Sequence, residues 1–141
     1  MRSACLVPTV AKTALIVEDE IFVALDLERI LLDAGYSVAG IAADRASALE
    51  AAPLANFAFV DVNLRDGPTG PEIAQRISAE YGIKVVFVTA NPSQIGDPDG
   101  ALGYIRKPFS EGAILAAARL ADEGHPAAND DVIPLQQSSL K

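Results

Sequence analysis

The chain has 141 residues, half of them hydrophobic, and carries a formal charge of −8. That length and apolar content fit one globular domain with its own core and argue against a disordered chain. No apolar run approaches the ~20 residues of a bilayer span, and no Lys/Arg cluster is present, so nucleic acid and anionic membranes are unfavoured partners compared with metal cations and basic protein surfaces.

In chain order, residues 1–12 read as a loose leader, too short and too broken for a secretory signal. Its lone Cys5 has no internal partner for a disulfide, which fits a reducing compartment, the cytoplasm. Ala14-Leu15-Ile16-Val17 reads as a buried strand that ends in Glu18-Asp19-Glu20. Residues 21–34 are helical, with Val23, Leu27, Ile30, Leu31 and Ala34 on one face and Gly35 closing the helix. Ser37–Ala42 is a weaker strand, and Asp44 caps a short helix that Pro53 ends.

The run Phe57-Ala58-Phe59-Val60 is the strand around which the chain is organised. Pro53 and the turn-rich Asp66–Gly70 leave room only for a strand, and the run delivers a carboxylate, Asp61, at its end. Gly70-Pro71 opens a helix on which Ile73, Ala74 and Ile77 face inward and which Tyr81-Gly82 closes. Val85–Thr89 is a fourth strand. Asn91 to Gly103 is rich in turn residues: Pro92, Gly96, Pro98, Gly100 and Gly103 exclude a three-turn helix and allow at most one turn at Pro92–Ile95. Tyr104–Lys107 stands where a fifth strand is due. Ser110 caps a last helix, Glu111–Glu123, and residues 124–141, without periodicity, read as a disordered tail. One domain is therefore expected over 13–123.

Alternating strands and helices imply an α/β fold: a doubly wound, five-stranded parallel sheet of flavodoxin-like order 2-1-3-4-5, with a degenerate fourth helix. Ligands of such sheets sit at the carboxyl ends of the strands, where the order reverses between the first and third. Glu18, Asp19 and Asp61 converge there, with Thr89 and Lys107 on the same edge. Three carboxylates in one crevice repel, and a hard cation such as Mg²⁺ relieves this with one or two carboxylates, water and phosphate oxygens. The loop after Asp61 can add a backbone carbonyl, that of Asn63. Lys107 offers a point charge to a phosphate oxygen and Thr89 a small hydroxyl. Asp61 then reads as a nucleophile that accepts a phosphoryl group.

Val17-Glu18-Asp19, the strand ending in Asp61, Val88-Thr89-Ala90 and Lys107-Pro108-Phe109, taken in order, resemble the receiver domain of bacterial two-component response regulators. The resemblance runs from about Lys12 to Glu123. It implies Asp61 as phosphoacceptor, Asp19 as a direct Mg²⁺ ligand, Glu18 as a ligand through water, and Asn63 as a carbonyl ligand. It further implies Thr89 as switch hydroxyl, Lys107 as phosphate contact, Tyr104 as switch aromatic and a cis bond before Pro108. Glu18 departs from the commoner Asp. The Asp61-Val62-Asn63-Leu64 stretch is similar to single-domain, stand-alone receivers that partner one branch of sensor histidine kinases.

The expected partners are therefore a sensor histidine kinase and a phosphotransfer or downstream regulator protein, in phosphorelay signalling. Too few residues follow Glu123 for an output module. An enzyme acting on outside substrates is unfavoured, because Asn63 stands two residues after Asp61 where a second acid/base carboxylate would be needed. A non-phosphorylated pseudo-receiver serving as an interaction scaffold is the alternative. Tyr104 also reads as ordinary packing, and His125 and Cys5 carry no assigned role. Ile21, Phe22, Leu25 and Leu32 lie off the main apolar stripe of the first helix. They are expected to pack partly against the last helix, and any exposed remainder is a candidate docking patch.

Overall fold

The computed structural model describes residues 12–96, 100–124 and 129–135. Its sheet contains β1 (Thr13–Val17), β2 (Ser37–Ala42), β3 (Phe57–Val60), β4 (Lys84–Thr89), β5 (Ala101–Arg106) and β6 (Val132–Pro134). The helices are α1 (Ile21–Asp33), α2 (Arg45–Ala51), α3 (Gly70–Tyr81) and α4 (Glu111–Glu123). The strand order is β2-β1-β3-β4-β5-β6. The first five strands run parallel, as the alternating pattern predicts, and β6 joins β5 antiparallel. Among the described residues no helix is long and apolar enough to cross a membrane.

Strand side chains alternate between faces, and the sheet is apolar on both. Leu15, Val17, Ala58, Val60, Val85 and Phe87 pack beneath α2 and α3, with Ile73, Ala74 and Ile77. Ala14, Ile16, Phe57, Phe59, Val86 and Val88 pack beneath α1 and α4, with Ala24, Leu27, Ile30, Ile114 and Ala117. β3 is buried throughout and β4 from Val85 to Thr89, which is why they read as unbroken hydrophobic runs.

The capping expectations hold. The Asp44 carboxylate accepts from the Ser47 amide at 3.0 Å, and Ser110 Oγ accepts from the Ala113 amide at 3.1 Å. Between β4 and β5 a single 3-10 turn, Pro92–Gln94, is the helical element among the described residues, as the glycines and prolines there require. Ile95 follows it and buries against the α2/α3 layer.

Four expectations are corrected. The fifth strand begins at Ala101, not Tyr104, because Gly103 lies inside the strand and not in a turn. The stretch after Glu123 is not structureless throughout: residues 132–134 form β6, with Val132 buried in the α1/α4 layer. Three residues are too few to show a period, and Pro134 is tolerated because the strand lies at an edge. Finally, Ile21, Phe22, Leu25 and Leu32 do not pack away against α4. They stay between 46% and 84% exposed, Phe22 the most, since Ala24, Leu27, Ile30 and Leu31 take the whole buried stripe. Ala34, expected on that stripe, is the exposed residue that ends α1. Cys5, Pro98 and His125 lie outside the described residues.

Candidate phosphoacceptor site

The site is assembled by extension of the strand ladders. The Asp61 amide donates to the Val17 carbonyl at 2.9 Å, the Glu18 amide to Ala42 at 2.8 Å, and the Lys107 amide to Thr89 at 3.0 Å. Residues that leave the sheet are thereby held level at its carboxyl edge. Gly70, the first residue of α3, seats against this edge, and its amide donates to the Val62 carbonyl at 3.0 Å. A Cβ at Gly70 would overlap the Asp61 carbonyl oxygen and stand 2.7 Å from Val62 Cα, so only glycine allows α3 to start this close to the site.

Three carboxylates surround one ammonium, and a fourth, that of Asp19, stands in the same cluster. Lys107 Nζ lies 2.8 Å from Asp61 Oδ2, 2.8 Å from Glu18 Oε1 and 3.3 Å from Glu20 Oε1. Ligand oxygens of Glu18, Asp19 and Asp61 lie within 4.8 Å of one another. Asp61 Oδ1 accepts from the Val62 amide at 2.7 Å. Glu18 Oε2 accepts from the Glu20 amide at 3.1 Å, while Glu18 Oε1, although close to Nζ, receives no hydrogen bond of good geometry. Burial pushes the Glu18 carboxyl above the ordinary glutamate value; contact with Lys107 and the Glu20 amide pull it back, and Asp61 adds to the rise. Burial pulls the Lys107 ammonium down, but Asp61 and Glu18 together outweigh it and hold it above the usual lysine value.

The donor set tests the fit of a cation. All the converging ligands are carboxylate oxygens, the choice of hard divalent ions. The buried Glu18 Oε1 has only the Lys107 ammonium as partner, at 2.8 Å, and that one ammonium is shared among three carboxylates. These residues fit Mg²⁺. Asp19, Glu20, Asp61, Asn63, Ala90, Asn91 and Lys107 line an open crevice of about 270 Å³.

Thr89 is fully buried, and its Oγ1 accepts from the Asn91 amide at 3.0 Å. Asn63 ties its side chain to the 3-10 turn, donating from Nδ2 to Gln94 Oε1 at 2.8 Å. Its loop is fixed by Arg65 N–H to the Ala43 carbonyl at 3.0 Å and by Thr69 Oγ1 to Asp66 Oδ1 at 2.7 Å. The Lys107–Pro108 peptide is cis. Tyr104 is half-buried, packed on the α2/α3 layer beside Leu135. Glu18, Asp19, Asp61 and Lys107 are thus in one constellation, with Thr89 beside it on the edge. Glu20 is the residue that sequence reasoning left without a role. Its signal was its place as the third carboxylate after β1.

The structure is thus a doubly wound sheet with an acidic crevice and a lysine at its switch point. Comparison with known proteins makes this specific. The model of the response regulator receiver domain family matches residues 14–119, and the chain belongs to that family. It is 29% identical over 116 residues to the phyllosphere-induced regulator PhyR of Methylorubrum extorquens, covering 79% of this chain and 43% of that protein. It is 32% identical over 117 residues to the transcriptional regulatory protein PdtaR of Mycobacterium tuberculosis, covering 79% of this chain and 57% of that one. The chain therefore spans about half the length of these curated relatives. The receiver domain of PhyR from Erythrobacter litoralis superposes with a TM-score of 0.72 at 27% identity, covering 84% of this chain and 97% of that domain. A CheY-like receiver from Methanospirillum hungatei gives 0.67 at 27% identity, over 80% and 95% of the two chains. Membership makes this a domain of two-component signalling and not of a typical enzyme.

Proposed function

We propose that this receiver accepts a phosphoryl group on Asp61 from the phosphohistidine of a sensor histidine kinase and switches protein–protein contacts in a cytoplasmic phosphorelay. The observation that carries the reading is the Lys107 Nζ to Asp61 Oδ2 contact of 2.8 Å, on a sheet edge where Glu18 and Asp19 bring further oxygens within 4.8 Å. Mg²⁺ would be held by Asp19 and Asp61, the Asn63 carbonyl, and Glu18 through water. When bound, that ion neutralises charge on the transferring phosphoryl oxygens.

The chain's own residues do the rest. An Asp61 carboxylate oxygen attacks phosphorus; the new O–P bond forms as the N–P bond breaks, and the departing imidazole takes a proton from solvent. The Val62 amide fixes one carboxylate oxygen, which keeps the other directed at the crevice. Lys107 exchanges carboxylate contacts for a phosphoryl oxygen. The product adds three acceptor oxygens and more negative charge, and the Thr89 hydroxyl gains an acceptor within the edge it shares with Asp61. The kinase docks on the exposed apolar side of α1, where Phe22, with Val23, Ala90, Pro108 and Phe109, borders a groove of about 510 Å³.

Acetyl phosphate or beryllofluoride with Mg²⁺ tests the reading. Wild type should label stoichiometrically and Asp61→Asn should not. Label on that variant would move the acceptor elsewhere. A folded wild type that binds neither reagent would instead make the chain a non-phosphorylated scaffold.

A further inference from the structure

Among the described residues β6 is the one antiparallel strand of the sheet, and its seat is written into β5. It pairs Gly103 with Pro134, Tyr104 with Ile133 and Ile105 with Val132. The Leu135 amide extends the ladder to the Leu102 carbonyl at 3.2 Å. A Cβ at Gly103 would stand 2.5 Å from the Ile133 carbonyl oxygen and 3.3 Å from Pro134 Cα, and all three of its nearest atoms belong to β6. The missing side chain is therefore a notch for this strand. Val132 and Leu135 anchor it on opposite layers of the domain. The Asn129 carboxamide and carbonyl accept from the Asp131 and Val132 amides at 2.8 and 3.1 Å, forming the turn that launches it.

The same strand reaches toward the site. Tyr104, Lys107, Pro108, Phe109, Asp131 and Ile133 wall a single groove of about 360 Å³. Lys107, which grips Asp61, is thus continuous with the strand that β6 covers. A shift of the Lys107 end of β5 must be absorbed by one of its neighbours. β4 is six residues long and buried after Lys84, whereas β6 is three residues long with Ile133 partly exposed. The shorter, less buried partner opens first.

We propose that residues 129–135 are a detachable cover of the β5 edge, released when Asp61 carries a phosphoryl group. Release leaves the β5 donors and acceptors opposite β6 unpaired and presents an edge that accepts an extended, antiparallel segment with a β-branched residue for the Val132 seat. The coupling half of this proposal rests on the phosphoacceptor reading above; the existence of the cover does not.

Hydrogen–deuterium exchange on the full chain with Mg²⁺, with and without beryllofluoride, tests it. Beryllofluoride should raise exchange across 132–135 and 102–105 by about tenfold or more while β1 and β3 stay protected. Gly103→Ala should give the open pattern without the reagent and still load at Asp61. Val132→Asn, which spares β5, is the second route to the same open state. Loading at Asp61 with no change at β6 overturns the coupling. If neither variant raises exchange at 102–105 in the unloaded protein, the cover itself is overturned. Failure of wild type to load condemns the phosphoacceptor reading, and the two variants still decide whether the cover exists.

Discussion

Gly70→Ala sets helix propensity against the packing of the site. In an exposed helix the change would stabilise, by up to about 1 kcal/mol. Here the added methyl overlaps the Asp61 carbonyl oxygen and lies 2.7 Å from Val62 Cα and 2.9 Å from the Asp61 carbonyl carbon. All three are backbone atoms of the segment that presents Asp61, so no side chain can rotate aside. Either α3 retreats, losing the Gly70 amide bond to Val62, or the Asp61 backbone moves. Overpacking of this kind costs about 1–3 kcal/mol, and rigid backbone obstacles put it near the top of that range. After the propensity gain, the net loss is about 1–2 kcal/mol. With an m value of about 1.5 kcal/mol/M, the urea midpoint should fall by about 1 M. Mg²⁺ affinity should drop in the same variant, because the carboxylate is displaced. An unchanged or raised midpoint, or wild-type Mg²⁺ binding in a destabilised variant, would refute the packing argument.

Other expectations are checked more briefly. Mg²⁺ at about ten times its dissociation constant should stabilise the protein by about 1.4 kcal/mol, and calorimetry should find that gain abolished in Asp19→Asn and Asp61→Asn. Phe22→Asp should slow phosphotransfer from the kinase while leaving labelling by acetyl phosphate unchanged, which separates docking from chemistry. Thr89→Ala should label normally yet give smaller amide shifts outside the crevice than wild type. Hydrogen bonds from the Ser47 hydroxyl and amide hold the Asp44 carboxyl below the ordinary aspartate value. Its contribution is present above the unfolded-state value, near pH 4, and is lost as pH falls through the lower folded value. Thermal melts of wild type and Asp44→Ala should therefore converge in strong acid and separate at neutral pH.

The five parallel strands, the cap residues and the acidic edge were legible because each rests on local chemistry. Buried parallel strands show as unbroken apolar runs, and in a doubly wound sheet their carboxyl ends specify the site. The remainder depended on contacts between distant segments. Gly103 reads as a turn former in sequence, and only the presence of β6 shows that its missing side chain is a seat. Val132 and Leu135 are isolated apolar residues with no period to report. Gly70 was read as a helix opener, whereas its second duty, admitting α3 against Asp61, is a matter of atomic approach. Glu20 was visible as a charge, but its reach to Lys107 is set by the turn into α1. The exposure of Phe22 was equally hidden, since periodicity locates the buried stripe of a helix without saying what meets its other side.

The single ammonium among four carboxylates has a consequence for the medium in which the domain works. With all four ionised the crevice carries a formal surplus of three negative charges, within a chain that is itself acidic. Such a surplus gathers an atmosphere of monovalent cations, and its field fades over about 8 Å at physiological ionic strength. Divalent ions entering the crevice displace that atmosphere, so their apparent affinity falls as potassium rises. The same field slows the approach of dianionic small phosphodonors and favours donors delivered on a basic or neutral protein surface. Under the proposed function, the acidity of the pocket should sort phosphodonors by charge before any of them reaches Asp61.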